Sequence, residues 1–373
     1  MPGLAHGGSW NTEPSVSLSG EYSSNPRLLQ TDAHAVESAA LTLVMPATYT
    51  GARQSFDLRP QIRAAATHGD TELISDYQYL DSSWRINWPT QILQLSGFLH
   101  HDSTLYNQFE NGALLPATQR RTEQNGALDW QNRLTERVTL RTDLSYDRVN
   151  YGLLARSGLS DYRYLQASLG LSRDMTERLL WTLSVGSSRY DVIDQDYRND
   201  NPFARTTLTQ KLSEDWTMTA GAGVSSLRAR SQFGALVSRS RRTLPNFNLM
   251  LERRNAEGSF SFVISRSIQP SGFGALVTQD NVSLSRNVNW SERWSGSAVL
   301  RGSRQLDSLR QLNLGDRRYY SAELAATWLW REQLTLTAQL GLSTQHYASN
   351  LPQPSSTAFY LTLTRQFYRQ HLH

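Results

Sequence analysis

Apolar and polar side chains alternate along most of the chain in runs of roughly a dozen residues. In 138–147, Val138, Leu140, Leu144 and Tyr146 share one face, with Thr142 its only polar member. Thr139, Arg141, Asp143, Ser145 and Asp147 share the other. In 334–343, Leu334, Leu336, Ala338, Leu340 and Leu342 oppose Thr335, Thr337, Gln339, Gly341 and Ser343. Successive side chains of a strand point to opposite sides, so a period of two marks strands whose two faces meet different media. One face here suits lipid and the other water.

About eighteen such runs are present, near 14–24, 36–47, 53–66, 74–87, 91–102, 120–132, 138–151, 161–173, 178–190, 204–212, 216–229, 244–254, 258–269, 277–289, 293–306, 317–330, 334–347 and 357–368. Sixteen is the rival count, because the 36–66 and 74–102 hairpins alternate less cleanly. Six short turns recur among them, each built on a glutamate: Glu136, Glu177, Glu214, Glu257, Glu292 and Glu332, spaced by 41, 37, 43, 35 and 40 residues. Each repeat therefore holds two long strands, whereas a β-propeller of similar period fits four short ones into each blade. Long strands with tight turns at one end and longer links at the other predict an all-β fold, a transmembrane antiparallel up-and-down β-barrel. An even count puts both termini in the periplasm, together with the Glu turns and those near 48–52 and 88–90. The outer loops then include 103–119, 191–203, 230–243, 270–276 and 307–316.

Composition is compatible with this reading. A hydrophobic fraction of 39% and a mean hydropathy of −0.50 suit a barrel, in which every second residue faces water or a polar lumen. No stretch approaches the roughly 20 apolar residues of a spanning helix. The absence of cysteine removes thiol catalysis, Cys-ligated zinc and disulfides. Trp88, Trp130, Trp216, Trp290, Trp294, Trp328 and Trp330 fall near strand ends, as in the aromatic girdle of a barrel. Residues 1–13 are expected to be a periplasmic segment or a signal remnant, with Ala5-His6-Gly7 as a candidate cleavage site, and 14–373 a single barrel.

Of the 37 basic residues only Lys211 is lysine. Arginine favours bidentate contact with carboxylates, sulfates and phosphates. The arginines are interleaved with 33 acids rather than gathered in one patch, which argues against nucleic acid as a partner. The polar faces predict a lumen containing Asp57, Arg59, Gln61, Arg63, Tyr77, Tyr79, Asp81, Arg85, Asp129, Arg141, Asp143, Asp147, Arg301 and Glu323. Mixed Arg and Asp linings set pore selectivity, and tyrosines present flat surfaces to sugar rings; the plainer alternative is that such pairs hold the wall together. Outer segments contrast in charge, with Asp191, Asp194, Asp196 and Asp200 against Arg228, Arg230, Arg239, Arg241 and Arg242. These are expected to pair across the mouth, or the arginines to contact outer-membrane lipid, lipopolysaccharide or an acidic polymer. The eight histidines show no metal spacing, His100 and His101 beside Asp102 read as a solvated pair at the outer rim, and neither a phosphate loop nor a nucleophile elbow is present. No enzyme activity, metal or cofactor is expected.

The opening Pro14-Ser-Val-Ser-Leu-Ser-Gly-Glu-Tyr22-Ser-Ser-Asn25, the Tyr77-Gln-Tyr79 to Asn87 strand and the closing Phe359-Tyr-Leu-Thr-Leu-Thr-Arg-Gln-Phe367 resemble outer-membrane barrels found with exopolysaccharide systems, including those associated with PEP-CTERM sorting. The eighteen-strand count is similar to that of the alginate-export porins. The resemblance implies a pore or scaffold in the bacterial outer membrane, with a polysaccharide chain and periplasmic export components as partners. A general diffusion porin for small solutes and a closed structural or adhesive barrel remain the alternatives.

Overall fold

The computed structural model describes residues 8–70, 73–104, 119–152, 159–193, 195–233, 236–308, 317–347 and 353–367. The strands of the first half are β1 (Ser9–Thr12), β2 (Ser15–Ser23), β3 (Val36–Val44), β4 (Ala47–Thr50), β5 (Gln54–His68), β6 (Tyr77–Asn87), β7 (Gln91–Ser103), β8 (Arg120–Arg133), β9 (Val138–Tyr151) and β10 (Tyr162–Thr176). Those of the second half are β11 (Leu179–Val192), β12 (Tyr197–Lys211), β13 (Trp216–Phe233), β14 (Leu236–Asn255), β15 (Gly258–Ser271), β16 (Ala275–Asn289), β17 (Trp294–Asp307), β18 (Arg317–Arg331), β19 (Leu334–Tyr347) and β20 (Ser355–Gln366). There is no helix among the described residues.

Neighbouring strands pair antiparallel, and β20 returns to β2, from Ser15↔Gln366 to Ser23↔Ala358, to close the sheet. The wall has eighteen strands, because β1 continues into β2 and β3 into β4 in one shared register: Ser9 faces Thr50 as Ser15 faces Val44. The two interruptions lie opposite each other at Pro14 and Pro46, residues that have no N–H to give to a ladder.

All six Glu turns lie at the end that carries the termini, and they alternate between two builds. Leu134–Arg137, Leu212–Asp215 and Trp290–Arg293 are four-residue turns, whereas Glu177-Arg178, Ala256-Glu257 and Glu332-Gln333 have two residues. In each four-residue turn a hydroxyl at the second position, Thr135, Ser213 or Ser291, accepts the N–H of the first residue of the next strand at 3.1 Å. These turns begin at 134, 212 and 290, so four strands repeat every 78 residues (212 − 134 and 290 − 212).

Outside, large apolar side chains stand exposed at every second position, among them Leu41, Ile62, Leu144, Leu169, Leu183, Val224, Leu300, Leu324 and Phe359. All ten tryptophans lie near the periplasmic strand ends, with Trp294, Trp328 and Trp330 stacked at centroid distances of 5.7 and 5.9 Å. A closed sheet leaves no backbone group unpaired in hydrocarbon, and an apolar band rimmed by aromatics matches a bilayer. The protein is a transmembrane β-barrel of the bacterial outer membrane.

Two expected outer loops are mostly strand. β12 begins at Tyr197, β13 extends to Phe233 and β14 starts at Leu236, so much of 191–203 and 230–243 is wall. The 270–276 link shortens to the three residues between Ser271 and Ala275. Pairing between β14 and β15 stops at Phe247↔Arg266, whereas β13 and β14 stay paired up to Phe233↔Leu236. Above that level β15 parts from β14, and the β15–β16 tip, still paired with β17 up to Val277↔Asp307, bends inward.

Candidate permeation pathway

The inner face is built from the residues that alternate with the lipid-facing ones. On β5 and β6, Arg63 bonds Glu21 of β2, which also accepts Ser38 Oγ at 3.0 Å. Asp57 accepts a bond from Ser83 at 3.4 Å, and Arg85 donates to Asn87 at 3.1 Å. Arg59 faces Asp81 in register, is exposed, and has no ion pair among the described residues. Arg141 clamps Asp129 and, at 2.8 Å, Asp143; Asn125 donates to Asp147. Across the β17–β18 ladder Arg301 pairs with Glu323, which also accepts Gln339 at 3.5 Å. The predicted inward residues thus share one face, and within the set Arg141 engages Asp129 and Asp143, and Arg301 engages Glu323.

Beside them stands an aromatic column. Tyr77 and Tyr79 stack at 4.4 Å, Tyr79 lies 4.2 Å from the His100 ring, and His100 stacks on Phe98 at 4.3 Å. Each member sits two residues from the next on its strand, or directly across the ladder, so the pleat alone brings the rings together. His100 bonds Asp81 at 2.9 Å, and Tyr79 donates to Asp102 at 2.9 Å. Asp102 is 1% exposed and receives Arg121 through two bonds of 3.0 Å.

His100 and Asp102 are therefore inside the barrel rather than a solvated rim pair. Only His101 points outward, to Thr122 at 2.9 Å. Sequence reasoning missed Glu21, His100, Asp102 and Arg121. Their signal was the spacing Phe98, His100, Asp102 on one face of β7, which continues the inward phase of the strand.

The mouth is narrowed from two sides. The β15–β16 tip lies against the inner side of β9–β14, where Val149, Tyr151, Tyr162, Tyr190, Leu227 and Leu276 form a buried cluster. Tyr190 Oη donates to Ser271 O at 2.8 Å, and Ser160 N to Gly272 O at 2.7 Å. Gly274 turns the tip with φ +80°, and a Cβ on Gly272 would stand 2.5 Å from the Tyr151 hydroxyl, so both glycines are needed for this approach. Opposite, the β2–β3 link folds in through Leu28, which packs on Tyr319, and through the Arg27–Asp70 pair at 2.8 Å. Beside this link lies a cavity of about 520 Å³, lined by Glu21, Pro26, Arg63, Tyr77, Tyr79, Tyr319 and Glu323 among others.

Among the described residues the outer charges do not meet across the mouth. Asp194 lies outside the described residues, and Asp196 is exposed in the β11–β12 turn. Arg242 points inward and donates to Ser308 O at 2.8 Å. Arg239 and Arg241 alternate with Arg242 and stand on the outer surface. The acids pair along the wall instead, Arg189 with Asp200 at 2.9 Å and Arg198 with Asp191 at 3.8 Å. Strands β11 to β14 are adjacent, so their charges share one wall.

No protein-family model matches the chain, and neither does any curated relative. Among solved structures, the Pseudomonas aeruginosa OccK2 (OpdF) complex with glucuronate is similar over 96% of this chain and 98% of its own, at 12% identity and TM-score 0.49. A BenF-like porin from Pseudomonas fluorescens Pf-5 is similar over 96% of this chain and 99% of its own, at 11% identity and TM-score 0.49. The copper transporter OprC is similar over 92% of this chain and 62% of its own, at 9% identity and TM-score 0.50. The last of these likenesses is one of fold alone, that of a large closed β-barrel.

Proposed function

We propose that this barrel is a selective diffusion channel for small polar solutes. The observation that carries the reading is a mouth narrowed by two inward-folded segments above a polar, aromatic-lined cavity. A narrow passage makes each solute pass within reach of the wall, where fixed charges set which ions enter. Arg59, Arg85 and Arg141 are exposed on that wall, and guanidinium groups present paired donors to a carboxylate. The Tyr77–Tyr79–His100–Phe98 column offers ring faces to an apolar or sugar surface. Small carboxylated solutes fit this combination. Export of an exopolysaccharide, which the sequence resemblance implied, finds no support, since the segments that narrow the mouth stand where a polymer would emerge.

The test is conductance of the refolded barrel in a planar bilayer, combined with solute-driven swelling of vesicles. Discrete openings, passage of glucuronate and exclusion of alginate chains are expected, with Arg59→Gln/Arg85→Gln lowering the preference for anions. Passage of the polymer would return the reading to export, and a folded barrel that neither conducts nor swells vesicles would overturn the channel.

A further inference from the structure

The upper outer surface of β10–β14 carries two adjoining rows of charge. In direct cross-strand register lie Arg163, Asp191, Arg198, Arg230 and Arg239, and in the row beneath them Arg189, Asp200, Arg228 and Arg241. Seven arginines against two aspartates leave a formal charge of +5 (7 − 2). The two acids are already held by Arg189 and Arg198. Arg228, Arg230, Arg239 and Arg241 are exposed and form no ion pair among the described residues. Arg228 stands opposite Arg241, and Arg230 opposite Arg239. Like charges directly across a ladder are destabilising, so this arrangement calls for an anion between them.

Height decides which anion. Val185 and Val224 are the last large apolar side chains of the belt on β11 and β13, and the lower arginine row begins four residues further on, at Arg189 and Arg228. Four residues at about 3.4 Å each, on strands tilted by about 35–45°, rise about 10 Å. The polar headgroup zone extends about 5–8 Å beyond the hydrocarbon on each side. The row therefore stands just above the outer-leaflet headgroup zone, and long arginine stems reach down into it. The arginines are denser here than elsewhere on this rim: on the upper parts of β3–β8 the outward residues include Glu37, His68, Gln78, His101 and Thr122, and on β15–β18 Arg266, Asp280, Arg304 and Arg318 form one row.

We propose that the outward face of β10–β14 is a binding surface for the phosphate groups of lipopolysaccharide in the outer leaflet, with Arg228, Arg230, Arg239 and Arg241 as its forks. Planar guanidinium pairs match phosphate oxygens bidentately. This surface lies outside the lumen and does not depend on what the channel carries.

The whole chain, folded in detergent, would be incubated with diphosphorylated lipid A and the retained lipid counted by native mass spectrometry. Wild type should keep lipid A, and Arg228→Gln/Arg230→Gln/Arg239→Gln/Arg241→Gln should keep at least about tenfold less. Dephosphorylated lipid A should be lost from both. Arg137→Gln/Arg178→Gln/Arg254→Gln/Arg293→Gln, at the periplasmic rim, should retain it like wild type. Folding is verified by heat-modifiable gel mobility, and the double variant Arg228→Gln/Arg241→Gln, with a smaller loss, serves if the quadruple does not fold. Equal retention by the folded upper-rim variant, equal loss at the periplasmic rim, or indifference to the phosphates would overturn the proposal.

Discussion

The two rims of the barrel's outer surface meet membrane boundaries of the same geometry with different chemistry. At the periplasmic rim all ten tryptophans gather, and turn glutamates sit beside arginines such as Arg137, Arg178 and Arg293. At the opposite rim, over β10–β14, there is no tryptophan and arginine dominates. Indole rings suit a zwitterionic boundary, where an amphipathic plate gains on both sides. Guanidinium rows suit a boundary dense in phosphate. The asymmetry reads as a record of two chemically unlike leaflets, with the apolar band between them common to both.

The comparison breaks most severely if the band itself is breached. Leu183→Arg places a cation midway between the rims, and unfolding in urea from phosphocholine vesicles should show a loss of about 2–4 kcal/mol. A loss under about 1 kcal/mol would mean that this row lies outside the hydrocarbon. At the periplasmic rim, Trp294→Ala removes one member of the Trp294–Trp328–Trp330 stack and should cost about 1–2 kcal/mol in the same titration. Near-zero loss would reduce the rim to decoration. Smallest is Ser291→Ala, which deletes the hydroxyl that caps the N–H groups of Arg293 and Trp294. It should cost about 0.5–1 kcal/mol, read from the same curve, and an unchanged midpoint would assign the turn's stability to its backbone bonds alone.

Much of the barrel was legible because its two faces meet lipid and water. The eighteen-strand count, the closure, the six Glu turns and the inward phase of β5, β6 and β9 all follow from a period of two. The reading failed where the contrast inverts. On β13, Val224 faces out and is apolar, whereas higher up it is Leu227 that is apolar, facing in and fully buried, while Arg228 faces out. Above the membrane the inward side chains pack on the β15–β16 tip and the outward ones meet charge, so the alternation changes phase within one strand. A pattern search sees that as a break, and 191–203 and 230–243 were accordingly expected as loops. The Asp102–Arg121 pair was hidden for a different reason: its partners lie 19 residues apart on facing strands, and only the ladder register joins them.

The parting of β14 from β15 above Phe247 leaves the upper half of β14 without a ladder partner on that side among the described residues. A long strand with no neighbouring strand along one side is a template onto which another chain can add. Here Arg239 and Arg241 project from that strand, and Arg242 reaches across the gap to Ser308. Charged side chains and a tether at an open edge discourage strand addition. The same arginines that face the leaflet therefore also keep one barrel from knitting to the next.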